Sequence, residues 1–314
     1  MTPSPRGEGR IGLIAHGGAG AWRPGSEDDA IEGMRLAAEA GRAILAAGGS
    51  ALDAVCATVV ILEDNPIFNA GTGAVLNYDG ICELDACVME SAGRRVGAVA
   101  ALQRVRNPIL VALKVMEETD HVMLAGDGAQ RFARAMGFGD HDPVTPARRA
   151  DWEEKRSRLA RAPAAALRMQ RFLREHPEYA GGTVGAAAVD RSGTLAAATS
   201  TGGVTLKLAG RVGDSPIPGA GNYASGHVAV SATGTGEYVI RMLAGRALSE
   251  RMEAGASLEA AVSEVLQLMG REFDADVGLV AVGRDGASVA MHRTRDMPHA
   301  FFVGEGVAIA RMRA

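Results

Sequence analysis

Gly182-Thr183-Val184-Gly185-Ala186-Ala187-Ala188-Val189-Asp190-Arg191-Ser192-Gly193-Thr194-Leu195-Ala196-Ala197-Ala198-Thr199-Ser200-Thr201-Gly202-Gly203 is the stretch on which the fold turns. Two runs of small and apolar residues, 183–189 and 194–200, flank a turn at Asp190-Arg191-Ser192-Gly193, and the pattern predicts a β-hairpin. Upstream the character differs. Between 140 and 182 lie Asp142-Pro143, Thr145-Pro146, an Arg-rich stretch of helical composition over 148–174, His176-Pro177 and Gly181-Gly182, which together read as a mobile linker. The hairpin begins where this linker ends, and the residue at the junction is Thr183.

Working outward, residues 11–15 form a short apolar strand that runs into His16-Gly17-Gly18-Ala19-Gly20, and 28–47 repeat apolar positions at helical spacing until Gly48-Gly49. Ser50 is placed to cap a helix over 51–63. Strands are expected at 81–89 and 96–102, then a helix from Pro108 with Asn107 as its cap. After the hairpin come helices at 237–252 and 257–268, then strands at 277–282 and 287–292 around Arg284-Asp285-Gly286. Strands with paired helices in both halves predict an α+β fold in four layers, αββα, with the helices outside two packed sheets.

Bulk composition narrows the function. The chain has 314 residues, 47% of them apolar, enough for a sizeable core. A net charge of −4 creates no field for polyphosphate, and the Arg-rich stretch interleaves Asp151, Glu153 and Glu154 without an aromatic stacking set, so nucleic acid is excluded as a partner. Residues 1–10 are rich in Pro, Gly and charge, which predicts a disordered N-terminus without a signal peptide; no run spans a bilayer, and the expected location is the cytosol with no membrane contact. Cys56, Cys82 and Cys87 are odd in number and contain no C-x-x-C pair, which predicts reduced, mostly buried thiols rather than disulfides or zinc. The 41 glycines exceed the ~7% of an average protein, while aromatics fall to 4%. Clusters such as Asn69-Ala70-Gly71-Thr72-Gly73 and Thr233-Gly234-Thr235-Gly236 fit loops whose backbone amides face a ligand, and equally fit close packing between layers.

A threonine hydroxyl attacks poorly at neutral pH unless a nearby base takes its proton. One economical base is the residue's own α-amino group, which titrates near ~7.7 once the chain is cut before it. A linker, two permissive glycines and Thr183 opening a strand are the layout such a cut requires.

Several motifs in order sharpen this reading. Gly182-Thr183-Val184-Gly185-Ala186, Ala198-Thr199-Ser200-Thr201-Gly202-Gly203, Gly210-Arg211-Val212-Gly213-Asp214-Ser215-Pro216 and Thr233-Gly234-Thr235-Gly236-Glu237 resemble the plant-type L-asparaginase and isoaspartyl peptidase family. So do His16-Gly17-Gly18-Ala19-Gly20-Ala21, Asn65-Pro66-Ile67-Phe68-Asn69-Ala70-Gly71, Glu83-Leu84-Asp85-Ala86 and Leu124-Ala125-Gly126-Asp127-Gly128, and the likeness runs from about residue 11 to 311. It implies an N-terminal-nucleophile hydrolase with the αββα sandwich, one domain over 11–314, self-cleaved between Gly182 and Thr183 into subunits 1–182 and 183–314.

The same resemblance implies the roles. Thr183 is the nucleophile, Thr201 supports it by a hydrogen bond, and Thr233 with the Gly234 amide forms the oxyanion hole. Arg211 holds the substrate α-carboxylate, Asp214 and the Gly236 carbonyl receive its α-amino group, and Asn69 contacts the nucleophile. Carbonyls of Leu62, Glu63, Asn65, Phe68, Ala70 and Thr72 wrap a structural sodium ion, and catalysis needs no cofactor. The implied substrates are isoaspartyl dipeptides and L-asparagine, and the implied assembly is a dimer of cleaved αβ units. Gly182 stands where many relatives carry Asp; His16 is read as structural.

Taken singly, each motif has a plainer reading. Arg211 with Asp214 would be a surface ion pair, Thr199 and Thr201 ordinary strand residues, and Thr233 to Gly236 a turn; their joint order behind Gly182-Thr183 reverses this. Gly71-Thr72-Gly73 is not a dinucleotide fingerprint, since position 76 is Leu. Glycosylasparaginase shares the scaffold but works in lysosomal or secreted settings, and a taspase-type endopeptidase needs room for an internal chain, which a grip on both termini of one aspartyl unit denies. A non-catalytic relative would have no need of the five site residues together.

Overall fold

A computed structural model of the chain describes residues 10–22, 25–159 and 182–313. The expected disorder of 1–9 and the linker residues 160–181 lie outside the described residues. The architecture is mixed α/β. One sheet of eight strands contains β1 (Gly12–His16), β2 (Leu84–Glu90), β3 (Val96–Leu102), β4 (Met123–Ala125), β5 (Val184–Val189), β6 (Leu195–Thr201), β11 (His299–Val303) and β12 (Ile309–Arg311), in the order β12-β11-β1-β5-β6-β2-β3-β4. A second sheet, β10-β9-β8-β7, is built from β7 (Asn222–Ala224), β8 (Val228–Gly234), β9 (Val277–Gly283) and β10 (Ser288–His292).

The expected hairpin is β5 and β6, antiparallel, with Val184 opposite Ser200 and Val189 opposite Leu195. Its turn is held by Asp190, whose carboxylate accepts from the Ser192 N–H at 2.9 Å and the Ser192 hydroxyl at 2.6 Å. Both strands are buried throughout, so each face needs a cover. Side chains alternate across the pleat. Val184, Ala186 and Ala188 join a core with Met34, Val55 and Leu62, whereas Ala187, Val189 and Ala197 join Ile14, Val280 and Val282 of neighbouring strands. A third core packs Val230 and Leu279 against Val265 and Met269. The strands' Ala and Gly residues let these layers approach closely.

Eight α-helices are described: α1 (Glu27–Ala46), α2 (Ala51–Asp64), α3 (Pro108–Glu118), α4 (Gly126–Ala135), α5 (Pro146–Leu159), α6 (Gly236–Met242), α7 (Ala244–Glu253) and α8 (Leu258–Phe273). Ser50 caps α2 as expected, its hydroxyl accepting the Asp53 N–H at 3.0 Å. Asn107 does not cap α3: its amide donates to Asp64 at 3.1 Å, and the buried Glu63 carboxyl takes the Ile109 N–H at 3.0 Å in its place. The single helix expected over 237–252 is two, broken where Leu243 turns left-handed at φ 50°. Of the stretch read as linker, 146–159 form α5, which buries Trp152 and donates its indole N–H to the Asn77 carbonyl at 2.8 Å. All three cysteines are buried free thiols.

The sheets do not divide between chain halves. β1 from the N-terminus lies between β5 and β11, so the eight-stranded sheet draws on both halves. β4, β7, β8, β11 and β12 answer to no expected strand; three of them have only three residues, too short for a period-2 pattern to register.

Candidate active site

Register places the nucleophile candidate. Val184 opposite Ser200 sets Thr183, just ahead of β5, beside Thr201, the last residue of β6. Thr183 Oγ1 donates to Thr201 Oγ1 at 3.3 Å, and Thr201 Oγ1 also accepts the Gly203 N–H at 2.9 Å. Near the end of β8, Thr233 Oγ1 accepts the N–H of Ala19 at 3.1 Å and of Thr183 at 3.4 Å. A hydroxyl that already accepts two bonds keeps its own proton to give, the property an oxyanion donor needs. Gly234 follows it with φ 121°, and a side chain there would run into the Asp276 carbonyl.

The bond before Thr183 is closely covered. Gly18 has φ 111°, and a Cβ on it would stand 2.6 Å from Gly182 Cα and 3.2 Å from Thr183 N, so only glycine lets this loop lie on the junction. Thr183 is 5% exposed. A cavity of about 880 Å³ reaches Gly182, with Gly17, Trp22, Phe68, Asn69 and Arg148 among its walls. Asn69 braces the neighbouring turn: Nδ2 donates to the Gly203 carbonyl at 2.7 Å and Oδ1 accepts the Val75 N–H at 2.8 Å. One of these bonds runs to the turn after Thr201 and the other to Val75 of Asn69's own segment, and neither runs to Thr183.

Arg211, Asp214 and Gly236 meet. A Cβ on Gly236 would lie 2.6 Å from Asp214 Oδ1 and 3.0 Å from Arg211 Nη2. Asp214 is buried, and among the described residues its Oδ2 has no hydrogen-bond partner. Burial pushes this carboxyl up to about 7, with the Arg211 guanidinium opposing. Arg211 Nη1 stands 3.4 Å from where a Cβ on Gly203 would be, which joins this pair to the Thr201 turn and hence to Thr183.

Two features escaped the sequence reading. Glu237, quoted within a motif but given no role, holds Arg211: Nε and Nη2 lie 3.0 and 2.9 Å from its Oε1. An acidic residue directly after Gly236 was the only signal. Behind the nucleophile strand runs a buried polar string, His16 Nε2 to Ser231 Oγ at 2.8 Å and Ser231 Oγ to Thr199 Oγ1 at 2.8 Å. Burial pulls His16 down to about 3, against support from the Thr183 backbone, so this imidazole is neutral at physiological pH and fits the structural role expected of it.

A family model described as asparaginase matches residues 9–310. The chain belongs to the asparaginase family. Among asparaginase-family relatives, a plant-type L-asparaginase of Pyrococcus abyssi is 43% identical over 294 residues, covering 93% of this chain and 96% of the relative. An isoaspartyl peptidase of Escherichia coli is 41% identical over 300 residues, covering 93% of each chain. An isoaspartyl peptidase/L-asparaginase of Rattus norvegicus is 40% identical over 301 residues, covering 95% of this chain and 88% of the relative.

Proposed function

We propose that the chain is a self-processing amidohydrolase that releases L-aspartate from isoaspartyl dipeptides and from L-asparagine, with Thr183 as its nucleophile. The observation that carries the reading is the Thr183–Thr201 hydroxyl pair at 3.3 Å, with Arg211 reaching the Gly203 turn next to it and Asp214 beside Arg211 at Gly236. In the first step Thr183 Oγ attacks the Gly182 carbonyl: the hydroxyl proton passes to the nitrogen as the C–N bond breaks, which frees the Thr183 amine and leaves an ester, and water then hydrolyses the ester to a Gly182 carboxylate and the Thr183 hydroxyl. That amine then takes the hydroxyl proton during turnover. Thr233, with the Gly234 amide, stabilises the oxyanion in both reactions, and Thr201 orients the attacking oxygen.

Substrate selection follows from charge. The guanidinium edge of Arg211 that Glu237 leaves unused takes a free α-carboxylate, and the unpartnered Asp214 Oδ2 takes the α-ammonium beside it, with the Gly236 carbonyl assisting. With both α-groups held, only the side-chain amide reaches Thr183. The relatives' names carry the same two substrates, as L-asparaginase and isoaspartyl peptidase.

The fold reading is the αββα sandwich of N-terminal-nucleophile hydrolases, one domain over 11–314 that is cut into 1–182 and 183–314 and pairs as a dimer of αβ units. Supporting it are the separate cores on either side of the buried β5–β6 hairpin. The reading includes a structural sodium ion on carbonyls of Leu62, Glu63, Asn65, Phe68, Ala70 and Thr72. The Thr72 N–H closes that loop on the Glu63 carbonyl at 2.8 Å. Carbonyls of Glu63 and Arg106 come within 2.6 and 2.7 Å of where a Cβ on Gly71 would stand, so the loop closes there only with glycine. The ion would steady the loop that carries Asn69 and supply no chemistry.

Paired dipeptides test this. A β-aspartyl dipeptide should release aspartate, and its α-aspartyl isomer, lacking a free α-carboxylate, should be inert; Arg211→Ala should still process itself yet lose the β-isomer activity. Equal hydrolysis of both isomers, or full activity in Arg211→Ala, would contradict the reading.

A further inference from the structure

Lys207 is 1% exposed, an unusual place for an ammonium group. It lies four residues after Gly203 and four before Arg211, between the two halves of the site. Its Nζ donates to the Glu83 carbonyl at 2.9 Å. A Cβ on Gly203 would stand 2.9 Å from Lys207 Cδ, 3.0 Å from Nζ and 3.4 Å from Arg211 Nη1. The side chain therefore packs directly beneath the turn whose N–H is bonded to Thr201 and whose carbonyl is bonded to Asn69.

The groups around the ammonium reach the other half of the site. Both Glu83 carboxylate oxygens accept the Gly210 N–H, at 3.0 and 3.2 Å, just ahead of Arg211. Asp85 sits opposite Thr201 in the β2–β6 ladder and accepts the N–H of Ala101 at 2.8 Å and of Gly213 at 3.4 Å, just ahead of Asp214. Burial pulls the Lys207 ammonium below the ordinary lysine range, and among its neighbours Asp85 opposes this most. Lys207 and Asp85 are both buried, and a charge buried without its counter-charge is costly.

We propose that Lys207 is a positioning residue for substrate binding: anchored on the Glu83 carbonyl and packed beneath Gly203 beside Arg211, it locks the Thr201–Gly203 turn to the 210–214 loop so that Arg211 and Asp214 stand at a fixed distance from Thr183. Lys207 touches no substrate. Its loss lets the loop move while the Thr183–Thr201 pair, held by the β5–β6 register, stays intact. The proposal rests on the isoaspartyl-hydrolase reading and gives the carboxylate grip its rigidity.

The test compares wild type, Lys207→Met and the charge-neutral pair Lys207→Met with Asp85→Asn, which leaves no lone buried charge if the single variant folds poorly. Each is scored for self-cleavage, thermal stability and steady-state hydrolysis of a β-aspartyl dipeptide. The expected result is complete self-cleavage, KM raised about tenfold or more, and kcat within about threefold of wild type, the pattern of lost binding common to ground and transition states. A purely structural lysine would lower stability and kcat without this split. Wild-type KM in either cleaved, folded variant overturns the proposal and leaves the functional reading standing; wild-type protein that fails to hydrolyse the dipeptide overturns both.

Discussion

Asp214 must carry its charge to receive a substrate ammonium, yet in the empty site burial holds its carboxyl at about 7. The sign follows: as pH falls through about 7 the carboxyl takes a proton, the α-amino group loses its partner, and binding weakens. The Thr183 amine, titrating near ~7.7 unless perturbed, must be neutral to act as base, so it too is lost on the acid side. The two ionisations divide between kinetic parameters. The free enzyme needs both groups, whereas bound substrate holds Asp214 charged, so below about pH 7 kcat/KM should fall more steeply than kcat. A kcat/KM that stays flat from about pH 8 to about pH 5.5 would remove Asp214 from the binding site.

Helix α2 meets strand β6 through one buried carboxyl, Glu63, which accepts the Ser200 hydroxyl at 2.6 Å and the Ile109 N–H at 3.0 Å on the same oxygen. Burial pushes it up to about 8, with those two bonds pulling the other way. Between its unfolded value near 4.5 and about 8 the folded protein holds a proton the unfolded chain has released, so stability falls as pH rises across that window. Glu63→Gln keeps the accepting oxygen and removes the ionisation. Denaturant titrations at about pH 5 and about pH 8 should show wild type losing a few kcal/mol more than the variant, since each pH step of one across the window costs about 1.4 kcal/mol. Parallel losses would mean that Glu63 is not buried as described.

The same element shows what the sequence displays and what it hides. Ser50 announces the start of α2 because a capping hydroxyl is a local signal, three residues from the N–H it serves. The cap of α3 comes from Glu63, 46 residues away, and no local pattern at Asn107 reveals that substitution of partners. The β5–β6 hairpin was legible from its turn and the small, apolar runs on either side of it, and with it the neighbourhood of Thr183 and Thr201. The insertion of β1 between β5 and β11, and the hold of Glu237 on Arg211, depend on tertiary proximity, which composition and period do not encode.

At the scale of the whole molecule, the proposed function makes one event of a loop with glycine at 18 laid over the 182–183 junction and a hairpin that follows Thr183: the conversion of a single chain into two subunits that stay together. Every element of the proposed site except Asn69 lies after that junction, whereas β1, β2 and β3 before it complete the sheet that holds β5 and β6 in place. The proposed cut would therefore free the nucleophile without dismantling its scaffold. A denaturing gel with intact-mass measurement tests this most directly. The purified protein should give two chains, the smaller beginning at Thr183, and Thr183→Ala should give one uncut chain of 314 residues. A wild-type chain that remains whole after prolonged incubation, or a cut at any other bond, would contradict the account.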